Sequence, residues 1–239
     1  SAVRAHYGRI DILVNNAGEI RVAPLENLTA ADFERALSIM FWGTVHTTLE
    51  VLPQMRAQGG GRIVNVTSIG GKVSTPHLLA YSCAKAAAVA FSEGLRSEAA
   101  RDGIRVTTVV PGLMRTGSHV NAVFKGKRLN ESGWFGISAA LPGLSIPASK
   151  AARGIVCAVR RGASETILGI PAVLLAKAHA LFPGTMSRVL TTVNSLLPAP
   201  LPGPSSEETG LQLERYHGSL YRLMTTLNRR AGRRLNQPV

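Results

Sequence analysis

Three residues of this 239-residue chain have the types and spacing that proton transfer requires: Ser68, Tyr81 and Lys85, within or just beyond the stretch Arg62–Lys85. Tyr81 and Lys85 stand four apart in an alanine-rich segment, so on a helix they lie one turn apart on one face. A free phenol titrates near ~10 and is a poor base at neutral pH. An ammonium beside it favours the phenolate and brings the group toward working pH. Ser68 lies just past Arg62–Val66, a short β-branched run after three glycines that reads as a buried strand. Ligands of open α/β sheets sit at the carboxyl ends of strands, so the serine is placed for chemistry.

The flanking sequence supplies the elements that position these groups. Ala2–Gly8 reads as the last turn of a helix stopped by glycine, and Ile10–Val14 as a buried parallel strand. The turn Asn15-Asn16-Ala17-Gly18 follows, and its small residues let backbone approach a ligand closely. An ordinary strand-to-loop turn is the plainer alternative. Thr29 and Asp32 form a capping-box-like start to a helix running to about Met55, with Phe33, Leu37, Met40 and Phe41 at helical spacing. The helix of Tyr81 and Lys85 continues through Phe91, Leu95 and Ala99 to Gly103, and Arg105–Val110 is the next strand, ended by Pro111-Gly112. Residues 113–147 are irregular, with Met114, Val120, Val123, Phe124, Trp134, Phe135 and Leu141 among polar residues, and read as a lid or binding loop. Lys125, Lys127 and Arg128 within it read as a solvated face. Ala151–Arg161 is a helix and Thr166–Leu168 a last strand.

Together, the serine 81 − 68 = 13 residues before the tyrosine, the YxxxK spacing, Asn15-Asn16-Ala17-Gly18 after one strand, Pro111-Gly112 after another and Thr116 beyond it resemble the short-chain dehydrogenase/reductase family. YxxxK alone is a weak motif; landmarks in the right order are a strong one. The resemblance covers roughly Gly8 to Gly169. It implies an α/β, Rossmann-like, doubly wound parallel sheet and an NAD(P)-dependent oxidoreductase that interconverts a secondary alcohol and a ketone. By that resemblance Tyr81 exchanges the proton with the substrate oxygen, Ser68 hydrogen-bonds it, and Lys85 lowers the tyrosine pKa and holds the ribose. The cofactor, NAD or NADP, is implied to lie against Asn15, Ala17, Gly18, Tyr81, Lys85, Pro111, Gly112 and Thr116, with the Asn15–Gly18 turn beside its adenosine side, Asn15 steadying the sheet, and Pro111-Gly112 and Thr116 at its nicotinamide end. The apolar lid favours a lipophilic substrate. One departure stands out: the family usually has an asparagine three residues before the glycine of the long helix, and Met40 occupies that position before Gly43. The asparagine is thought to hold a kink and a proton-relaying water, and a thioether has no donor.

A doubly wound dinucleotide fold begins with a strand and a glycine-rich turn at a helix N-terminus. Nothing before Asn15 supplies that turn, and Gly59-Gly60-Gly61 precedes a strand instead of joining a strand to a helix. The sheet is therefore expected to be N-terminally incomplete, with the strand before Asn15 presenting an open edge. The rival reading is a non-catalytic fragment or interaction protein that keeps the fold without the phosphate-binding turn.

The expected organisation is a catalytic portion over residues 1–170 and a helical C-terminal extension over 171–239. In the extension, residues 171–197 are rich in alanine and leucine, but Lys177, His179, Pro183 and Arg188 leave no window of transmembrane length. PAPLPGPSS reads as a linker, and Ser205 with Glu208 as a second capping box. Leu213, Tyr216, Leu220, Leu223 and Leu227 then form one apolar helical stripe ending in Arg229, Arg230, Arg233 and Arg234. A docked amphipathic helix is the expectation, and peripheral membrane contact through it the sharper alternative.

The net charge of +13 attracts anions without choosing among cofactors, membranes and nucleic acid. Few aromatics and no zinc-finger spacing set nucleic acid aside. Cys83 and Cys157 give no disulfide framework, which fits a reducing, cytoplasmic compartment. Cys83 reads as small core packing. The six histidines have no paired metal spacing, so no metal is expected. A homo-oligomer acting on a small alcohol or ketone is the expected assembly.

Overall fold

The computed structural model describes residues 2–203 and 205–237, without the Arg4 side chain. Four parallel strands form the central sheet: β1 (Ile12–Asn15), β2 (Gly61–Val66), β3 (Ile104–Pro111) and β4 (Glu165–Leu168), side by side in that order. Their register pairs Asn15 with Asn65, Val66 with Val109, and Pro111 with Leu168, so the carboxyl ends gather along one rim. β3 is buried along nearly its whole length, as a central parallel strand should be. β1 departs from its expected burial. Among the described residues it pairs on one side only, and Ile12 and Val14 are exposed, an open edge as the sequence suggested.

Between β1 and β2 runs one helical stretch: α1 (Ala30–Leu37), a π-helical turn at Ser38–Trp42 and α2 (Gly43–Ala57). Its start has the expected Thr29–Asp32 capping box. Between β2 and β3 lies α3 (Leu79–Ala99), which passes through a short 3₁₀ turn and stops at Gly103, whose φ of 72° is open to glycine. The core under the sheet packs Val51, Leu52 and Met55 of α2 against Ile63, Ile104 and Val106.

Residues 113–147 are more ordered than an irregular lid. Leu113–Arg115 pairs with Ser145–Pro147, Val123–Phe124 pairs with Arg21–Val22, and α4 (Arg128–Ala140) lies between. Phe124 and Phe135 pack with Val22, Ala122 and Leu213 as a second core, so these apolar groups are consumed in packing. Lys125 is not on a solvated face: its ammonium is 2.8 Å from Asp32, which also pairs with the buried Arg21. Helix α5 (Ala148–Arg161) precedes β4, and α6 (Ile170–Leu181) and α7 (Pro183–Leu196) follow as a hairpin. Among the described residues no helix is long and apolar enough to cross a membrane.

The C-terminal segment corrects two expectations. The capping box is Thr209 with Gln212, while the Ser205 hydroxyl accepts from the Gly126 amide. The apolar stripe is not one docked helix, because the chain breaks at His217-Gly218 and again at Thr225, leaving α8 (Ser219–Met224) and α9 (Thr226–Arg234). Leu213 is buried, but Leu220 and Leu223 are 70% and 71% exposed. What docks is the polar and small-residue face, with Thr225, Asn228 and Gly232 buried and Tyr221 against Gly136 of α4. The stretch read as a linker, which includes Pro204 outside the described residues, is held at Leu201, whose carbonyl and amide both bond the Asn27 side chain.

Candidate active site

Strand β2 ends at Val66, and Ser68 follows in extended backbone as the cap of a 3₁₀ turn, Ile69–Gly71. The Ser68 hydroxyl accepts from the Gly70 amide at 3.1 Å and stands beside the Tyr81 ring, both within 3.5 Å of where a Gly70 Cβ would be. Two glycines allow this loop to press on α3. A Cβ on Gly70 would stand 3.2 Å from the Tyr81 ring, and one on Gly71 would stand 2.7 Å from the Lys85 carbonyl oxygen. The latter is closer than a real Cβ can approach, so backbone would have to move. Gly70 and Gly71 are thus site residues that motif reading passed over; the signal was a glycine pair directly after the serine.

Tyr81 is half-buried and Lys85 buried, one turn apart on α3. The Lys85 ammonium donates to the Val66 carbonyl at 2.9 Å, at the end of β2, and lies 5.9 Å from the centre of the Tyr81 ring. Burial lowers the Lys85 pKa to about 8. Burial also pushes the Tyr81 phenol up from its ordinary value, and the Ser68 hydroxyl beside it offsets only part of that. The downward pull of Lys85 on the phenol is not what this geometry gives.

Asn15 ties β1 to its neighbours. Its amide donates to Asn65 at 2.8 Å and to Thr48, and its carbonyl oxygen accepts from Thr47. The chain of bonds continues from Asn65 to Ser92 of α3 and from Ser92 to Thr108 of β3. This ladder crosses three strands and locks α3 to the sheet seven residues after Lys85; its members, scattered along the sequence, gave no local signal. Asn16, Ala17 and Gly18 are exposed at the carboxyl end of β1. A Cβ on Gly18 would lie 3.7 Å from Lys85 Nζ and 3.6 Å from Met40 Sδ, so the turn, the lysine and the methionine converge.

Met40 itself is buried with Ala36, Ala80 and Ala84, and sits in the π-helical turn. The backbone distortion expected of an asparagine is therefore kept by the methionine, with Thr44 donating to the Met40 carbonyl at 2.9 Å. Pro111 is buried, and Gly112 lies where a Cβ would come 2.9 Å from the Ala172 Cβ of α6. Gly112 thus has a packing role whatever else it touches. The Thr116 hydroxyl accepts from the Ser118 amide in a local turn. Cys83 is exposed, which corrects its assignment to the core.

A model of the short chain dehydrogenase family matches residues 1–125. The chain belongs to this family. Its relatives include a dehydrogenase/reductase SDR family protein 7-like from Anopheles gambiae, 43% identical over 118 residues, or 49% of this chain and 37% of that protein. The putative oxidoreductase SadH of Mycobacterium tuberculosis is 39% identical over 123 residues, 51% of this chain and 45% of that protein. This short-chain dehydrogenase chain spans half or less of the length of such curated relatives. A crystal structure of a short-chain dehydrogenase from Streptomyces avermitilis superposes with a TM-score of 0.65 at 32% identity, covering 82% of this chain and 73% of that one. One from Burkholderia cenocepacia, in complex with NADP, superposes with a TM-score of 0.65 at 27% identity, covering 79% and 72%. The parallel sheet with flanking helices is the Rossmann-like fold of these neighbours.

Proposed function

We propose that this chain carries the catalytic groups of an NAD(P)-dependent oxidoreductase that interconverts a secondary alcohol and a ketone. The observation that carries the reading is the Ser68 hydroxyl beside the Tyr81 ring, with Lys85 one turn further along α3 and bonded to the end of strand β2. Tyr81 gives its proton to the carbonyl oxygen in reduction, and Ser68 hydrogen-bonds the same oxygen as negative charge develops on it. Burial holds the phenol protonated, the resting state a proton donor needs. Lys85 titrates near 8, close to working pH, and is placed to replenish that proton. An ammonium has three donors, and Val66 takes one of them, which leaves others for ribose hydroxyls.

The residues present fit the nicotinamide side of a dinucleotide. Asn16, Ala17 and Gly18 are exposed at a strand's carboxyl end, and the space a Gly18 Cβ would fill borders Lys85. Asn15, Ala17, Gly18, Pro111, Gly112 and Thr116 are the groups that would hold it, and the bound nicotinamide supplies the hydride. The NADP in the Burkholderia neighbour supports this cofactor class.

Replacing Tyr81 with Phe in the complete protein tests the reading. Turnover of a ketone panel, followed by NAD(P)H consumption, should fall by roughly 10²–10⁴-fold with cofactor affinity nearly unchanged, since the hydroxyl serves the transition state. Retention of most of the activity would refute the proton-donor assignment. Failure of the complete protein to bind either dinucleotide in titration calorimetry would favour the non-catalytic alternative.

A further inference from the structure

Helices packed on a protein turn their apolar face inward and their polar face to water. The hairpin of α6 and α7 leaves a long apolar stripe outside as well: Ala172 is the buried residue of α6, and α7 has none. On α7, Ser187, Leu190, Thr191 and Asn194 line an open cleft of about 610 Å³ against the loop after Ser68 and the flank of α3. Val189, Val193 and Leu196, on the opposite side of the same helix, are exposed. On α6, His179 lines the cleft with its Nδ1 buried and unpartnered, while Ile170, Leu174 and Leu181 form the exposed stripe. Where the helices meet, Leu181 and Phe182 are 71% and 62% exposed, and Pro183 opens α7.

The charge pattern names the surface that such a hairpin suits. No Asp or Glu occurs between Glu165 and Glu207, whereas Lys177 and Arg188 are both exposed. Lys177 lies three residues after Leu174 and four before Leu181, on their stripe, so its ammonium can extend from an apolar face toward head groups. At 12 and 14 residues the helices are about 18 and 21 Å long, too short for a ~30 Å hydrocarbon core and suited to lying in its interface. We propose that the α6–α7 hairpin is a wedge that docks this protein on an anionic lipid surface, with Leu181 and Phe182 entering the acyl boundary. A second copy of the chain fits less well. A two-fold contact would set Lys177 and Arg188 against their own kind with no carboxylate in the hairpin to offset them, between molecules each carrying +13.

The experiment is cosedimentation of the full chain with vesicles of phosphatidylcholine, alone and mixed with phosphatidylserine. Binding to the mixed vesicles is expected. The double variant Leu181→Glu, Phe182→Glu should weaken it at least about 100-fold, since each buried apolar side chain is worth about ten-fold or more. Arg188→Gln should weaken it about five-fold. Because a charged tip could also alter folding, Phe182→Trp serves as a direct reporter: its fluorescence should be quenched by brominated acyl chains. Four results would overturn the proposal: no binding to mixed vesicles, binding unaffected by the double variant, no quenching of the tryptophan, or loss of binding only on Leu220→Glu, Leu223→Glu in the C-terminal segment. A dimer in sedimentation velocity that the Leu181/Phe182 variant dissolves would assign the hairpin to self-association instead.

Discussion

Lys85 gives the most direct physical test of the site. Its ammonium is buried beside Val66, and burial brings its pKa from the usual 10.5 to about 8. Below about pH 8 the lysine is charged in both folded and unfolded chains, and the folded state carries the full cost of burying that charge. Between about 8 and 10.5 the folded protein has released the proton while the unfolded chain retains it. The unfolded state then binds more protons, so stability rises with pH across this window and levels off above it. At 1.36 kcal/mol per pKa unit the full rise is roughly 3 kcal/mol, of which about 2 kcal/mol should appear by pH 9.5. The Tyr81 phenol, raised by burial, contributes in the opposite direction only above the ordinary phenol range, so the measurement is best kept below pH 10. The assay is urea unfolding from pH 7 to 9.5 of the native chain and of Lys85→Met, which retains the stem and removes the titrating group. The difference in unfolding free energy between the two should climb by about 2 kcal/mol over that range. A difference independent of pH would show that the ammonium is not desolvated as the geometry indicates, and the case for Lys85 as a proton reservoir near neutral pH would fall with it.

Gly71→Ala places a Cβ against the Lys85 carbonyl, and should destabilise the chain by about 1–3 kcal/mol in urea melts, as overpacking does; an effect under a few tenths of a kcal/mol would mean that the loop is free to shift. Met40→Asn in the complete protein should raise turnover without changing cofactor affinity if the relay through the π-helical turn lacks a water-holding side chain, since acid–base contributions start at about 10²-fold and only the relay is altered. An unchanged rate across pH would show that Met40 is simply core, as its burial among Ala36, Ala80 and Ala84 allows.

The parts legible in the sequence are those in which one local pattern decides the outcome. The β-branched run before Ser68, the alanine-rich helix of Tyr81 and Lys85, and the Thr29–Asp32 cap all form as their periodicity and end signals indicate, because short-range geometry fixes them. The ladder from Asn15 through Asn65 and Ser92 to Thr108 was not legible, because its members meet only after three strands align in register. The same holds for 113–147: its apolar residues showed that something would be buried, but not that the partner would be Val22 and Leu213, far away in sequence. Lys85 was legible in position and misjudged in effect. Spacing put it beside Tyr81, but its ammonium turns to the Val66 carbonyl, and the desolvation that follows depresses its own pKa while burial raises that of the phenol.

The C-terminal third misleads for a further reason. A periodic apolar stripe establishes that a helix has two unlike faces, but the sign of the burial depends on what the other face meets. In α7 Ser187, Leu190, Thr191 and Asn194 line an open cleft beside the loop after Ser68, and in α9 Asn228 donates to the Gly136 carbonyl of α4. Helix α9 therefore seats its polar side on the protein, whereas α7 is exposed nearly all round, and Val193, Leu196 and Leu227 stay outside. Leaving several such leucines and valines in water forgoes about 1.5–3 kcal/mol for each side chain that could otherwise be buried. Docking of the α6–α7 hairpin on an anionic lipid surface, as proposed above, would recover that energy for the exposed side chains of α7.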